Sequence, residues 1–410
     1  MAILTTENFL FYKIIFDIIR IYHSAGKGCE EMIPDHTTAD RRRSALSSIY
    51  RSIYDAKDFC SRQSLARELG LSMPTVYQNL SRLVEAGLIR DSGEQRSTGG
   101  RKASGLSIIP DARVAVGVSV TEHGLRIAAA DLRLDELAYR ELTIQPPDSL
   151  SGRGGALARA LEAFLDDFEV DRGRLLGVGI ALPAVMSPDG GRISAAPTLR
   201  LWETSLEGLT DQIPYPTYME NDATCGGYAE WFVRGSQRDM AYLSLENGVG
   251  GAILLGGGPY LGDNRRSGEF GHICIEPGGL PCACGRQGCL EAYCSPRRIR
   301  AAFGLTLEEF FRNLEQRGPG WEEQEALWDN MLRHLAIGIV NIRMALDCDV
   351  VLGGILTEYL PPYLPRLKEY VAGMDPFSGG TEYLRLSALR RHTVPLGVAL
   401  PFIVDFLNQI

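Results

Sequence analysis

The sequence predicts an α/β protein in which a short helical unit with a β wing precedes two similar α/β lobes. Two observations carry the lobes. "VAVGVSVTEHGLRIAAADL" reads as strand, turn, strand, and about 125 residues later "MAYLSLENGVGGAILLGG" repeats that plan. "LLGVGIALPAV" and "CDVVLGGIL" are near-continuous apolar runs rich in glycine, suited to strands buried on both faces. The helical unit rests on a third observation, a run of short helical periods broken at a glycine and followed by a basic, glycine-rich turn.

With 410 residues the chain exceeds one ordinary core, so two or three domains are expected. The formal net charge of −9 argues, taken alone, against a nucleic-acid binder. The charge is unevenly placed, however. From Arg41 to Lys102 there are twelve Arg and Lys against six Asp and Glu, a local +6, which leaves −15 for the rest. A small basic module joined to a large acidic one points to DNA at one end and a different ligand at the other. The opening residues are apolar, but Lys13, Asp17 and Arg20 interrupt them, so no uncharged run of about 18 residues exists to span a membrane. No basic stretch precedes them, as a signal peptide would need. Residues 1–40 read as an extension, either a peripheral helix or a non-native stretch ahead of a start at Met32. The expected compartment is the cytoplasm, with reduced thiols and no membrane partner.

Residues 41–109 carry the basic module. A helix is expected from about Ser44 to Ala56, and Leu65, Ala66 and Leu69 form the face of a second, which Gly70 breaks. Ser72 can cap a third, with Pro74 in its first turn, where a missing amide costs nothing. Val76, Leu80 and Leu83 fall at i, i+4 and i+7 and mark the buried side of this helix. Thr75, Tyr77, Gln78 and Arg82 are left on or near the open side, as in a helix-turn-helix whose last helix reads bases. "LIRDSGEQRSTGGRKASGLSII" then reads as two strands around a wing, whose Arg96, Arg101 and Lys102 would meet phosphates or a minor groove. The plainer alternative is a helical hairpin followed by a solvated basic loop.

"GEFGHICIEPGGLPCACGRQGCLEAYCS" holds the densest chemistry. His272 precedes Cys282 by ten residues, and Cys282, Cys284 and Cys289 follow as C-x-C-x4-C. Three thiolates and an imidazole are the four-coordinate set that closes around structural zinc, and Gly285 and Gly288 let a short loop wrap an ion. A redox pair fits less well, because C-x-C lacks the two-residue spacer of thioredoxin-like sites. Cys274 and Cys294 lie outside the set and read as core thiols.

"STGGRKA", "ENDATCGGYAEW", "GEFGH" and "CACGRQGCLE" together resemble the ROK family of repressors and sugar kinases, over roughly residues 41–410. The cysteine block is the most specific part of the likeness, and the wing resembles the repressor branch. The resemblance implies a winged helix-turn-helix at 41–109 and a two-lobed, actin-like, sugar-kinase-like domain at 110–410. Lobe 1 would take about 110–222 plus the C-terminal end, and lobe 2 about 223–390. It also implies zinc on His272, Cys282, Cys284 and Cys289. By the same likeness Asn221, Asp222, Glu269, His272 and Glu291 contact the sugar, and in the kinases the residue matching Asp222 is the base. These types suit a pyranose, whose rim of hydroxyls needs several acceptors on rigid backbone. The plainer alternative is carboxylates that cap helices or face solvent. One departure is Thr198, which stands where the kinases have a sugar-binding Asn.

The phosphate turns depart further. Where ROK kinases carry D-x-G-G-T, "SVTEHG" places Ser119 for the Asp and Glu122 and His123 for glycine and threonine; "LENGVGG" adds Glu246 in the second turn. Phosphoryl transfer needs glycine turns around the phosphates and a carboxylate near magnesium, so these changes argue against ATP. The expected function is therefore a sugar-responsive transcriptional regulator, a non-enzyme that binds operator DNA and a sugar or sugar phosphate. A single reading helix meets too few bases, so a homodimer or homotetramer is expected. The alternatives are an active ROK sugar kinase with an added DNA-binding module, and a regulator answering to a protein partner.

Overall fold

Serine caps set the N-terminal unit. In the computed structural model, which describes residues 38–56, 60–94, 104–144, 150–235, 238–377, 380–389 and 391–410, it comprises α1 (Thr38–Asp55), α2 (Arg62–Leu69) and α3 (Met73–Glu85), then β1 (Ile89–Glu94) and β2 (Ser104–Ile108). No glycine or proline interrupts residues 38–55, and α1 starts ahead of both the expected Ser44 and the expected boundary at residue 41. Ser61 and Ser64 cap α2 reciprocally, each side chain accepting from the other's backbone N–H at 3.0 Å. Gly70 ends α2 at φ +62°, where a side chain would be strained. Ser72 then accepts from Thr75 N at 3.3 Å and Pro74 sits in the first turn of α3. β1 and β2 pair antiparallel, Ile89 opposite Ile108. The wing turn with Arg96, Arg101 and Lys102 lies outside the described residues, as does most of the expected extension at 1–40.

The first lobe holds β3 (Val114–Val120), β4 (Gly124–Ala130), β5 (Glu136–Thr143), α4 (Leu150–Asp167), β6 (Leu175–Leu182) and β10 (Thr217–Asn221), with a small sheet of β7 (Val185–Met186), β8 (Arg192–Ala196) and β9 (Leu201–Ser205) inserted between the last two. Its main sheet runs β10-β6-β3-β4-β5. After α5 (Asp222–Val233), the second lobe holds β11 (Met240–Leu245), β12 (Val249–Leu255), β13 (Gly258–Pro259), α6 (Leu290–Cys294), α7 (Pro296–Phe303), α8 (Leu307–Gln316), α9 (Trp321–Leu346), β14 (Asp349–Gly353), α10 (Leu364–Met374) and β15 (Leu384–Leu386). Its sheet runs β13-β12-β11-β14-β15. Each sheet joins an antiparallel three-strand meander to two parallel strands, so the repeat read from the sequence is a repeat of topology.

The last helix, α11 (Thr393–Gln409), ties the parts together. It lies so close to the first sheet that a Cβ on Gly117 would fall 1.7 Å from Pro395 O, and one on Gly179 2.0 Å from Val398 O. The core of the helical unit is continuous with that of the rest of the chain. Ile49, Tyr50 and Ile53 of α1 are buried in one cluster with Leu132, Leu134, Leu400, Ile403 and Val404. Each such aliphatic side chain contributes roughly 1.5–3 kcal/mol when fully buried. Tyr54 Oη donates to Leu132 O at 2.7 Å, and Arg133 Nη2 returns a bond to Tyr54 O at 2.9 Å. Among the described residues no helix is long and apolar enough to cross a membrane.

Candidate functional site

The cysteine loop leaves β13, passes His272 in a single 3₁₀ turn and ends where Cys289 precedes α6. Gly285 and Gly288 adopt φ +86° and +80°, and a Cβ on Gly288 would strike Glu276 O at 1.9 Å. Those two turns fold the loop back on itself, pairing Pro281 with Gln287 and Cys274 with Cys289. One ligand atom each from His272, Cys282, Cys284 and Cys289 then lies within 4.8 Å of all the others. Cys282 Sγ is 3.7 Å from His272 Nδ1, and Cys284 Sγ is 3.7 Å from Cys289 Sγ. Those two separations match the roughly 3.5–3.8 Å between ligand atoms that a tetrahedral ion with bonds of about 2.0–2.3 Å requires, so the cluster could hold a metal ion. Burial pushes the Cys289 thiol up to about 12, and the hydrogen bonds it donates to the two neighbouring sulfurs add to that. Cys294 is a core thiol, 1% exposed, as expected. Cys274 is not: it is half-buried, and its Sγ donates to Gln287 O at 3.8 Å, because it lies on the edge of the loop rather than beneath it.

The expected sugar residues converge from both lobes. Asn221 caps α5: its Oδ1 accepts from Thr224 N at 2.9 Å and its Nδ2 donates to Ala184 O at 3.1 Å, so the amide already braces the helix start. Asp222 follows it and keeps a bond from Ala223 N at 2.8 Å. Burial raises the Asp222 carboxyl to about 7, with the Glu246 and Glu269 charges adding to it. Burial likewise raises Glu269, opposed by His272 and reinforced by Glu291. His272 therefore faces two ways, Nδ1 toward Cys282 and Nε2 4.0 Å from Glu269 Oε2. Glu291 Oε2 accepts from Val249 N at 2.9 Å and fills the space a side chain on Gly248 would need, 2.6 Å from such a Cβ. The end of the cysteine loop is thus tied to the β11–β12 turn. Thr198 is half-buried in the short turn after β8.

At the phosphate turns, Ser119 is buried in β3, and Glu122 and His123 are exposed in the β3–β4 turn. Both acidic residues have partners across the cleft: Glu122 Oε2 lies 3.4 Å from Arg297 Nη2, and Glu246 Oε2 lies 3.5 Å from Arg126 Nη1. Arg126 Nε also donates to Glu141 Oε1 at 3.1 Å. The sequence reading missed Arg126 and Arg297, since partners so far apart leave no local pattern. In the helical unit, Val76, Leu80 and Leu83 are buried, Tyr77, Gln78 and Arg82 are exposed, and Thr75 is half-buried. Asn79, which the periodicity did not single out, is also buried, and its Nδ2 donates to Thr75 O at 2.8 Å.

Residues 115–374 match the ROK family, and residues 48–91 match a helix-turn-helix domain. The chain belongs to the ROK family. Among its relatives, the DNA-binding transcriptional dual regulator NagC of Escherichia coli is 31% identical over 250 residues, 60% of this chain and 61% of NagC. The match thus spans about three fifths of that relative's length. The xylose repressor of Bacillus subtilis is 25% identical over 364 residues, 85% of this chain and 92% of the repressor. A solved ROK family transcriptional regulator, a homologue of the E. coli MLC protein, has a TM-score of 0.70 at 20% identity, covering 92% of this chain and 98% of its own; that likeness is one of fold.

Proposed function

We propose that this chain is a sugar-responsive, DNA-binding transcriptional regulator, a repressor of carbohydrate-metabolism genes acting in the cytoplasm as a homodimer or homotetramer. The observation that carries this reading is α1, which backs α3 and shares its core with the lobe that ends in Asn221 and Asp222. Thr75, Tyr77, Gln78 and Arg82 would meet the operator, and Arg96, Arg101 and Lys102 its backbone or minor groove. Asn221, Asp222, Glu269, His272 and Glu291 would hold a sugar or sugar phosphate. His272, Cys282, Cys284 and Cys289 would hold one structural zinc, fixing the loop that carries Glu269 and Glu291. The names of the relatives, an N-acetylglucosamine repressor and a xylose repressor, support this class of effector. The test is an operator titration without sugar and with N-acetylglucosamine, its 6-phosphate and D-xylose. A sugar shifts DNA affinity only by binding the DNA-competent and incompetent states unequally. Equal operator affinity under all four conditions would leave a protein partner as the better effector.

One observation favours the kinase reading: a carboxyl titrating near 7 suits a general base. Against it stand Glu122 and Glu246, which bring negative charge to the turns that phosphates would have to approach. Protein, ATP, magnesium and each sugar should yield no phosphorylated product above background. Turnover that disappears in Asp222→Asn would restore the kinase.

A further inference from the structure

A third ion pair crosses between the lobes, and it is the buried one. Glu220, in β10 of the first lobe, meets Arg265, in the loop after β13 of the second, with Oε2 and Nη2 2.5 Å apart. The two side chains are 6% and 7% exposed. Glu220 has further donors: Tyr218 Oη bonds to Oε2 at 2.9 Å and Asn221 N to Oε1 at 2.8 Å. Burial, with the Glu220 charge beside it, holds the Tyr218 phenol well above its usual range, so it remains a donor. Arg265 itself sits at φ +51°, a backbone state that costs a non-glycine residue energy and persists where its surroundings hold it.

The chain positions of the pair are the telling feature. Glu220 directly precedes Asn221 and Asp222, and Arg265 is four residues ahead of Glu269. Between them Gly268 lies against the β12 backbone, where a Cβ would fall 2.6 Å from Gly251 O, so the segment from Arg265 to Glu269 is firmly seated. A buried ion pair is weak evidence for stability, because desolvation offsets most of its attraction; its better-attested use is to specify one arrangement. Here the arrangement is that of the two halves of the sugar site.

We propose that Arg265 is a positioning residue for the sugar: its pair with Glu220 joins the strand end bearing Asn221 and Asp222 to the loop bearing Glu269, so that both halves face one ligand. This rests on the sugar-site reading above. It is tested on the full chain with Arg265→Met and Arg265→Lys, by hydrogen exchange without sugar and by calorimetric titration with N-acetylglucosamine and D-xylose. In Arg265→Met, amides of residues 218–222 and 266–272 should exchange faster while α9 and the metal content stay as in wild type. Affinity for whichever sugar the wild type takes should fall by about tenfold or more, the worth of one charged hydrogen bond. Arg265→Lys should recover part of both effects, which a merely structural role for the arginine's bulk would not predict of the shorter cation over methionine. Wild-type exchange and an affinity within about twofold of wild type in Arg265→Met would overturn the proposal. If the wild type takes neither sugar, the sugar reading fails on its own, and the exchange arm still decides the tie: faster exchange in both segments supports it, unchanged exchange overturns it. Should Arg265→Met not fold, Glu220→Gln, which keeps the shape and the Tyr218 contact, is read by the same measurements.

Discussion

The first lobe sends Glu122 from its β3–β4 turn to Arg297 of the second, and the second lobe sends Glu246 from its β11–β12 turn to Arg126 of the first. The turns are equivalent in the two sheets, so the lobes offer each other the same kind of side chain across one cleft. They differ in burial. Glu122 and Arg297 are each more than two fifths exposed, whereas Glu246 and Arg126 are each 28% exposed. Burial raises the Glu246 carboxyl, with Arg126 opposing the rise. The lobes also differ in what they carry. Leu132 and Leu134 of the first pack in one cluster with α1 of the helix-turn-helix unit; the second carries the cysteine loop, which is tied to its own turn through Glu291 and Val249. The repeated fold thus carries different attachments on its two lobes, with α11 and α5 packed between them.

Removing the metal should break the comparison most strongly. Cys284→Ser should release the metal, measured by elemental analysis, and lower the melting temperature by about 10 °C or more, because structural sites of this kind supply folding free energy that a loop poor in apolar side chains cannot replace. Glu269→Ala should come next. It should abolish the sugar response in an operator titration, a coupling of about tenfold in wild type, while leaving sugar-free operator affinity near wild type.

The third prediction concerns pH. Asp222 rises from 3.8 to about 7 on folding, so the folded state holds its proton more tightly. The stability this contributes is complete below 3.8 and is lost as pH rises through about 7. Sugar hydroxyls that donate to the ionised carboxylate should bind more tightly as pH passes upward through 7. Asp222→Asn should flatten both dependences, checked by titrating melting temperature and sugar affinity from pH 5 to 8.5. The smallest effects should sharpen the contrast between the turns. Arg297→Ala should change unfolding free energy by less than about 0.5 kcal/mol, since solvent screens that pair. Arg126→Ala, which leaves Glu246 half-buried without its cation, should cost about 1 kcal/mol or more in the same denaturant titration.

Much of this was legible in local pattern. The caps at Ser72 and Gly70, the buried stripe of Val76, Leu80 and Leu83, the doubled strand-turn-strand plan and the C-x-C-x4-C block all depend on neighbours within one or two turns of chain, where residue type and spacing constrain conformation directly. Cys274 was misread because its place depends on how the loop folds back, which spacing does not state. Likewise nothing in the sequence shows that both ends of the Asn221 amide are engaged, one by its own helix and one by Ala184, 37 residues away.

The sequence by itself determined the elements, their repeat, the four metal-ligand types and the acidic turns, because periodicity, capping and ligand chemistry act over short stretches of chain. Tertiary structure alone decided that α1 shares the first lobe's core, that Glu122 and Glu246 find arginines on the opposite lobe, and that Arg265 reaches Glu220. Those pairings join residues 45 to 175 positions apart. They arise only when two sheets close on one cleft, and burial then decides which of the pairs solvent can screen.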